Sequence, residues 1–377
     1  MKIHKLAFIL LISLILPACS AGEIVSESGY AEVPSHIYEA VNDTLLIDAQ
    51  VVGVSSDTAL RTYIGNVQTL SQEKINSFLN QVGDSISQIT DDQDGRYGYI
   101  FGGYGSRGSS FYYNSTASLW DVPPYMYFSY EVGAAVEWLG KYPIYYGQSD
   151  YDRNESLRLA NFFEEPLNLS FAPIEEADAA IREALSILGL EDLVINRTLC
   201  LSSERLEEAV QYIIDNNWDM DGTGLFYPQK ESWNESDECY IFEYYTAIDG
   251  IPMLYSLDTL STSVYCYNQI IVYYNADGII KLQIESPWTT EKVYQEYNQY
   301  ASAYEAMNLA KEKLENIIYE EKVVVTSIKL HYMYVQDGAQ WLLVPVWQIK
   351  ILQPNVWIND SFYYTYITID ARTGTEI

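Results

Sequence analysis

Apolar side chains recur every third or fourth residue in some stretches of this chain and every second residue in others. The two periods predict where it coils and where it extends. Over residues 71–82, Ile75, Phe78, Leu79 and Val82 share one helical face behind a Ser suited to cap it. Residues 155–163 predict a short helix. Residues 174–188 begin with acids, carry Ala177, Ile181, Leu185 and Leu188 on one side, and meet a stop signal at Gly189. Residues 202–216 and 302–318 predict two more capped helices. Strands are predicted at 44–54, 125–132, 193–201, 239–247, 264–274, 279–286, 323–335, 341–352 and 362–369. Asp277-Gly278 between two of them is a hairpin signal. Residues 91–116, rich in Gly, Tyr and Ser, predict one or two strands with turns, and Asp91 to Gly95 reads as a solvated turn. A helix followed by antiparallel strands, used twice in the second half, predicts an α+β fold with helices packed on antiparallel sheets.

The first residues carry an address. Lys2 and Lys5 precede an apolar run from Leu6 to Leu16, which is too short to span a bilayer. The run ends Leu16-Pro17-Ala18-Cys19, which resembles the lipobox of bacterial lipoproteins. Pro17 departs from the small residue usual at its position. The resemblance implies that residues 1–18 are removed as a signal peptide and that Cys19 carries lipid on its sulfur. The membrane is then a partner through that lipid, and the rest of the chain sits on the outer face of the cell membrane. Acyl chains contribute about 0.8 kcal/mol per buried methylene, so two or three hold a protein stably. The other reading is a signal peptide cut after Ala18 with an incidental Cys. Residues 19–35 are small, polar and acidic and read as a tether.

Charge narrows the partners. The chain has 377 residues, with 21 Lys plus Arg against 52 Asp plus Glu, a formal net charge of -31. Such a surface repels phosphate backbones, and no basic run lies beyond the first five residues, so nucleic acid is excluded as a partner. At 48% hydrophobic and 19% charged, the chain can bury a sizeable core. Only His4, His36 and His331 occur, which leaves almost no material for a His-based triad or metal site. After Cys19 there remain Cys200, Cys239 and Cys266. They read as small buried hydrophobes, with a bridge between Cys239 and Cys266 as the alternative.

The second half also resembles PepSY modules, which occur in propeptides of secreted metallopeptidases and in cell-envelope proteins. Three segments carry the likeness: AYEAMNLAKEKL (303–314), LLVPVWQIKI (342–351) and the ending YITIDARTGTEI. A weaker copy comprises the helix at 174–188 and EYYTAIDGIPM (243–253). The resemblance covers about half the chain. It implies two PepSY-like helix–sheet units, at 171–290 and 291–377, after an N-terminal α+β domain at 36–170. Similar tandem units occur in membrane-tethered Gram-positive envelope regulators and lipoproteins. The module has no shared catalytic residues, so the resemblance implies binding or regulating an envelope protein or peptide.

Candidate chemistry is sparse. Asn217, Asp219 and Asp221 fit the first positions of a calcium loop, but Pro228 stands where its last Glu belongs. An acidic turn explains them equally, and no cofactor or metal is expected. A carboxylate-based hydrolase needs a matched acid pair, and 52 acids offer no way to choose one; no enzyme activity is expected. The cluster Tyr97, Tyr99, Phe101, Tyr104, Phe111, Tyr112 and Tyr113 suits a binding surface, since Tyr presents a flat, semi-polar face. Alternate tyrosines covering a sheet are the plainer explanation. The sequence therefore predicts a non-enzymatic surface lipoprotein that binds an envelope protein or peptide, or alternatively a glycan or solute.

Overall fold

A computed structural model of the chain describes residues 34–54, 58–95, 98–116, 124–132, 163, 165–215, 232–254, 268–317, 321–358 and 361–377. Strands β1 (His36–Ala40), β2 (Leu45–Val52) and β3 (Leu60–Val67) lead into helix α1 (Gln72–Gln81). Then come β4 (Ile86–Gly95), β5 (Gly98–Gly105), β6 (Ser110–Thr116) and β7 (Tyr125–Glu131). The middle holds α2 (Ile174–Ile187), β8 (Leu193–Leu201), α3 (Ser203–Asp215), β9 (Cys239–Ile248) and β10 (Ile251–Pro252). It continues through β11 (Gln269–Asn275), β12 (Gly278–Glu285) and β13 (Trp288–Tyr297). The last stretch is α4 (Ala303–Glu315), β14 (Val323–Asp337), β15 (Gln340–Ile358), β16 (Ser361–Asp370) and β17 (Thr375–Glu376).

The protein is mostly β, 53% strand and 21% helix, in two large sheets, one of them a curled half-barrel. This corrects the expected α+β fold of helices packed on antiparallel sheets in two PepSY-like helix–sheet units. The physical reason is long-range pairing. In the eight-stranded sheet, β2 lies parallel to β14, and β3 pairs with both β13 and β15. In the nine-stranded sheet, β7 pairs with β12 and so joins β4–β7 to β8–β12. Each sheet is thus built from strands far apart in sequence. Asp91 to Gly95, read as a turn, belongs to β4 and pairs with β5.

Local signals shaped the elements as their chemistry demands. Ser71 Oγ caps α1 by accepting from the Lys74 amide. Ser302 and Glu305 form a reciprocal capping box at the start of α4. Gly278 takes φ +92 in the β11–β12 hairpin, a conformation that costs Gly little.

One core cluster runs through both sheets. Ile75, Phe78 and Leu79 of α1 are buried, and Phe78 meets Phe128 and Tyr130 edge-on at 5.9 and 5.6 Å. Burying a Phe fully contributes about 1.5–3 kcal/mol. α4 lays Ala303, Ala306, Met307 and Ala310 inward, its small residues bringing it close to the eight-stranded sheet. Trp347 there donates its indole N–H to the Ala301 carbonyl at 2.7 Å.

The sheets meet at the β9–β10 hairpin. Its two turn residues, Asp249 and Gly250, have φ of 52° and 76°, as a two-residue hairpin turn requires. Tyr63 donates its hydroxyl to Asp249, and Arg61 stands 3.6 Å from the same carboxylate. Beyond the turn, Leu254 donates its amide to the Tyr332 carbonyl of β14 at 2.7 Å.

Candidate functional site

Strand alternation gives the nine-stranded sheet two faces of different chemistry. On the inner face one row crosses five strands as Tyr113, Phe128, Ile284, Ile270 and Tyr244. The next row reads Phe111, Tyr130, Leu282, Val272 and Phe242. All ten are buried. α2 lies over this face, where Tyr244 donates its hydroxyl to Asp178 and Arg182 stacks on the Tyr244 ring at 5.3 Å.

The outer face carries three rows of another kind. The first is Asn114, Tyr127, Glu285 and Gln269, with Tyr245 next along. The second is Tyr112, Ser129, Gln283, Ile271, Glu243 and Arg197. The third is Tyr104, Ser110, Glu131, Lys281, Tyr273 and Ile241. Burial is graded along the rows. Glu243, Gln269, Lys281 and Gln283 are buried, whereas Tyr112 and Tyr104 are 38% and 51% exposed.

Burying a polar side chain costs free energy unless it finds a partner. Lys281 Nζ pairs with Glu131 at 2.9 Å and lies 5.6 Å from the centre of the Tyr273 ring. Gln269 donates to Glu243 Oε1 at 2.6 Å, and Gln283 donates to Glu285 Oε1 at 2.7 Å. Burial pushes the Glu285 carboxyl above its ordinary pKa, against the opposing pull of the Gln283 hydrogen bond. Towards the open end, Tyr112 and Tyr127 form a tilted pair 6.2 Å apart. The face thus has a polar floor at one end and exposed aromatic rings at the other.

Other polar clusters hold the fold. Asp84 is buried where α1 meets the β5–β6 turn. It accepts from the Ser85 and Arg107 amides and from the hydroxyls of Ser106, Ser109 and Tyr130. Burial alone would raise its pKa, but these hydrogen bonds, Ser109 foremost, outweigh burial and hold it below the ordinary value. Glu238 accepts from the amides of Ser170 and Ser203, tying the start of α3 to the segment before α2. His331 is buried beside the Pro252 carbonyl, and burial lowers its pKa to about 4. Cys200 and Cys239 are free and buried, and burial pushes both thiols up. These thiols fit the small-hydrophobe reading and are poor nucleophiles.

The predicted aromatic cluster is split by the sheet. Phe101, Phe111 and Tyr113 lie buried on the inner face. Tyr104 and Tyr112 stand exposed on the outer face. Tyr99 belongs to β5, but its side chain, like Tyr97, lies outside the described residues. Cys19, Cys266, the calcium candidates Asn217, Asp219 and Asp221, and the helix expected at 155–162 also lie outside them. Among the described residues, no group of three or more His, Cys, Asp or Glu is placed to hold a metal ion. Nor is any described helix long and apolar enough to cross a membrane.

Sequence reasoning missed Glu243, Gln269, Lys281, Gln283 and Glu285. The signal was present in GIIKLQIE, residues 278–285, where Lys281, Gln283 and Glu285 alternate with Ile280, Leu282 and Ile284. Alternation of this kind usually marks a solvated face. Only the burial of that face distinguishes it.

No family model matches the chain, and no curated protein matches it. Among solved structures it is similar to an uncharacterized protein from Eubacterium rectale ATCC 33656, with a TM-score of 0.57 and 16% identity. The match covers 91% of this chain and 93% of that one, so the likeness is one of fold over nearly the whole of both.

Proposed function

We propose that this protein is a lipid-anchored binding protein on the outer face of the cell membrane, and that it takes a glycan or a similar polyhydroxylated solute. The observation that carries the reading is the outer face of the nine-stranded sheet. There, buried Glu and Gln side chains adjoin exposed tyrosine rings. Hydroxyl-rich ligands need acceptors and donors in a fixed array together with flat surfaces for their C–H faces, and this face supplies both. The anchor is supported by the Leu-Pro-Ala-Cys sequence at residues 16–19.

The test is the thermal midpoint of the purified full-length protein against soluble oligosaccharides of glucan, mannan, chitin and peptidoglycan type. A ligand at a hundred times its Kd stabilises by about 2.7 kcal/mol, which is easily read. A rise with one class, with Cys19→Ser moving the protein from the membrane fraction to the medium without altering that rise, is the expected result. A flat response to every class, or a protein that stays membrane-bound without Cys19, overturns the corresponding half of the reading.

A protein or peptide partner is favoured by a different observation. Among the described residues, β13 pairs only with β3, which leaves its other edge open, and its side chains from Thr289 to Glu296 are all exposed. An open edge is where an extended peptide adds a strand. Two register shifts within the β3 pairing interrupt its regularity, which weakens it as a template.

A further inference from the structure

The three acids of the outer face are not held alike. Glu131 has a full counter-charge in Lys281. Glu243 accepts from the Gln269 amide and, at 3.5 Å, from the Tyr245 hydroxyl, and Glu285 accepts from the Gln283 amide. Amides and hydroxyls donate hydrogen bonds but bring no charge. Among the described residues neither Glu243 nor Glu285 is in an ion pair, although Arg197 stands opposite Glu243 in the register. Oε2 of each has no donor among the described residues. Carboxylates withdrawn from water are ordinarily matched by a cation, because an unmatched one is costly.

A second observation lies at the same end of the face. Asn268, next to Gln269, is 1% exposed. Its Oδ1 accepts from the Thr246 hydroxyl at 2.7 Å, while its Nδ2 has no hydrogen-bond partner. A buried amide donor left over beside two under-matched carboxylates calls for a ligand with both an acceptor oxygen and a positive group. Two strand spacings and one two-residue step separate Glu243 from Glu285, so their backbones stand roughly 12 Å apart. Inward-reaching side chains narrow that gap to the scale of a sugar ring.

We propose that this face selects an amino sugar, a polyhydroxylated ligand bearing a primary ammonium, and that Glu243 and Glu285 are its specificity-determining residues. The inference rests on the glycan-binding reading. An ammonium brings three donors and a full charge, enough to engage both free carboxylate oxygens. Asn268 then donates to a ring or hydroxyl oxygen, and Tyr112 and Tyr127 cover the adjoining unit.

Calorimetry on the full-length protein with tetramers of glucose, glucosamine and N-acetylglucosamine, at a pH that keeps the amine protonated, separates the cases. Glucosamine tetramer is expected to bind at least about tenfold tighter than either neutral tetramer, as for a charge-assisted contact. Glu243→Gln and Glu285→Gln should each remove most of that preference while leaving the affinity for neutral tetramers in place. Those neutral affinities show that the variants remain folded. Equal binding of all three sugars, or a preference that survives both variants, overturns this inference and leaves glycan binding standing. Silence from all three overturns glycan binding by these sugars and the inference with it.

Discussion

The two faces of the nine-stranded sheet are made from the same strands, one residue out of phase, and they obey different rules. The inner face solves its burial with carbon: Phe128, Leu282, Val272 and Phe242 pack beneath α1 and α2. The outer face buries Glu243, Gln269, Lys281 and Gln283 and must satisfy each with a neighbour. A face built for stability alone gains little from such residues, since apolar side chains of the same size would serve as well or better. The contrast teaches that burial by itself does not mark a core. What marks a core is burial together with the absence of groups that need partners.

The contrast can be broken most forcefully from inside. Phe128→Ala empties a fully buried site between Phe78 and Tyr113 and should cost about 3–5 kcal/mol in chemical unfolding. A loss below about 1 kcal/mol would mean that the inner face is not the core. Next in size is Asp84→Ala, which strands five donors and should cost about 3 kcal/mol at pH 7. Its pH dependence has a fixed sign. The Asp84 carboxyl titrates lower folded than unfolded, so its contribution is whole above an unfolded pKa of about 3.9. That contribution falls away as pH drops below that value towards the folded pKa. Wild type and variant stability curves should therefore converge on acidification, and parallel curves would refute the role given to Asp84. The smallest expected effect is at the open end of the outer face. Tyr112→Ala should shift stability by no more than about 0.5 kcal/mol, as for an exposed side chain, yet abolish the thermal response to ligand. A variant that keeps the response would move the site off the aromatic pair.

How much of this was legible in the sequence depended on range. α1 and α4 were readable because Ser71 and Ser302 act within one turn. The β11–β12 hairpin was readable because Asp277-Gly278 decides it locally. Sheet membership was not, since nothing near Leu45 announces that Val323 will lie beside it. β13 was missed for a related reason. Its run TTEKVYQEY has no apolar alternation because neither of its faces is covered. The aromatic cluster shows a third limit. Alternation announced two faces, but the positions of Phe101 and Tyr112 in sequence do not say which one the helices will cover.

The parallel pairing of β2 with β14 also bears on how the chain is made. Leu45 emerges early in synthesis, and its neighbour Val323 almost last. Until then β2 has only β1 for company, and β3 lacks both β13 and β15. The first sheet to begin is the last to close, so this chain matures after its translation ends rather than during it. A polypeptide with that schedule is well matched to export as an unfolded thread, because it reaches the far side of a membrane before it has anything to unfold.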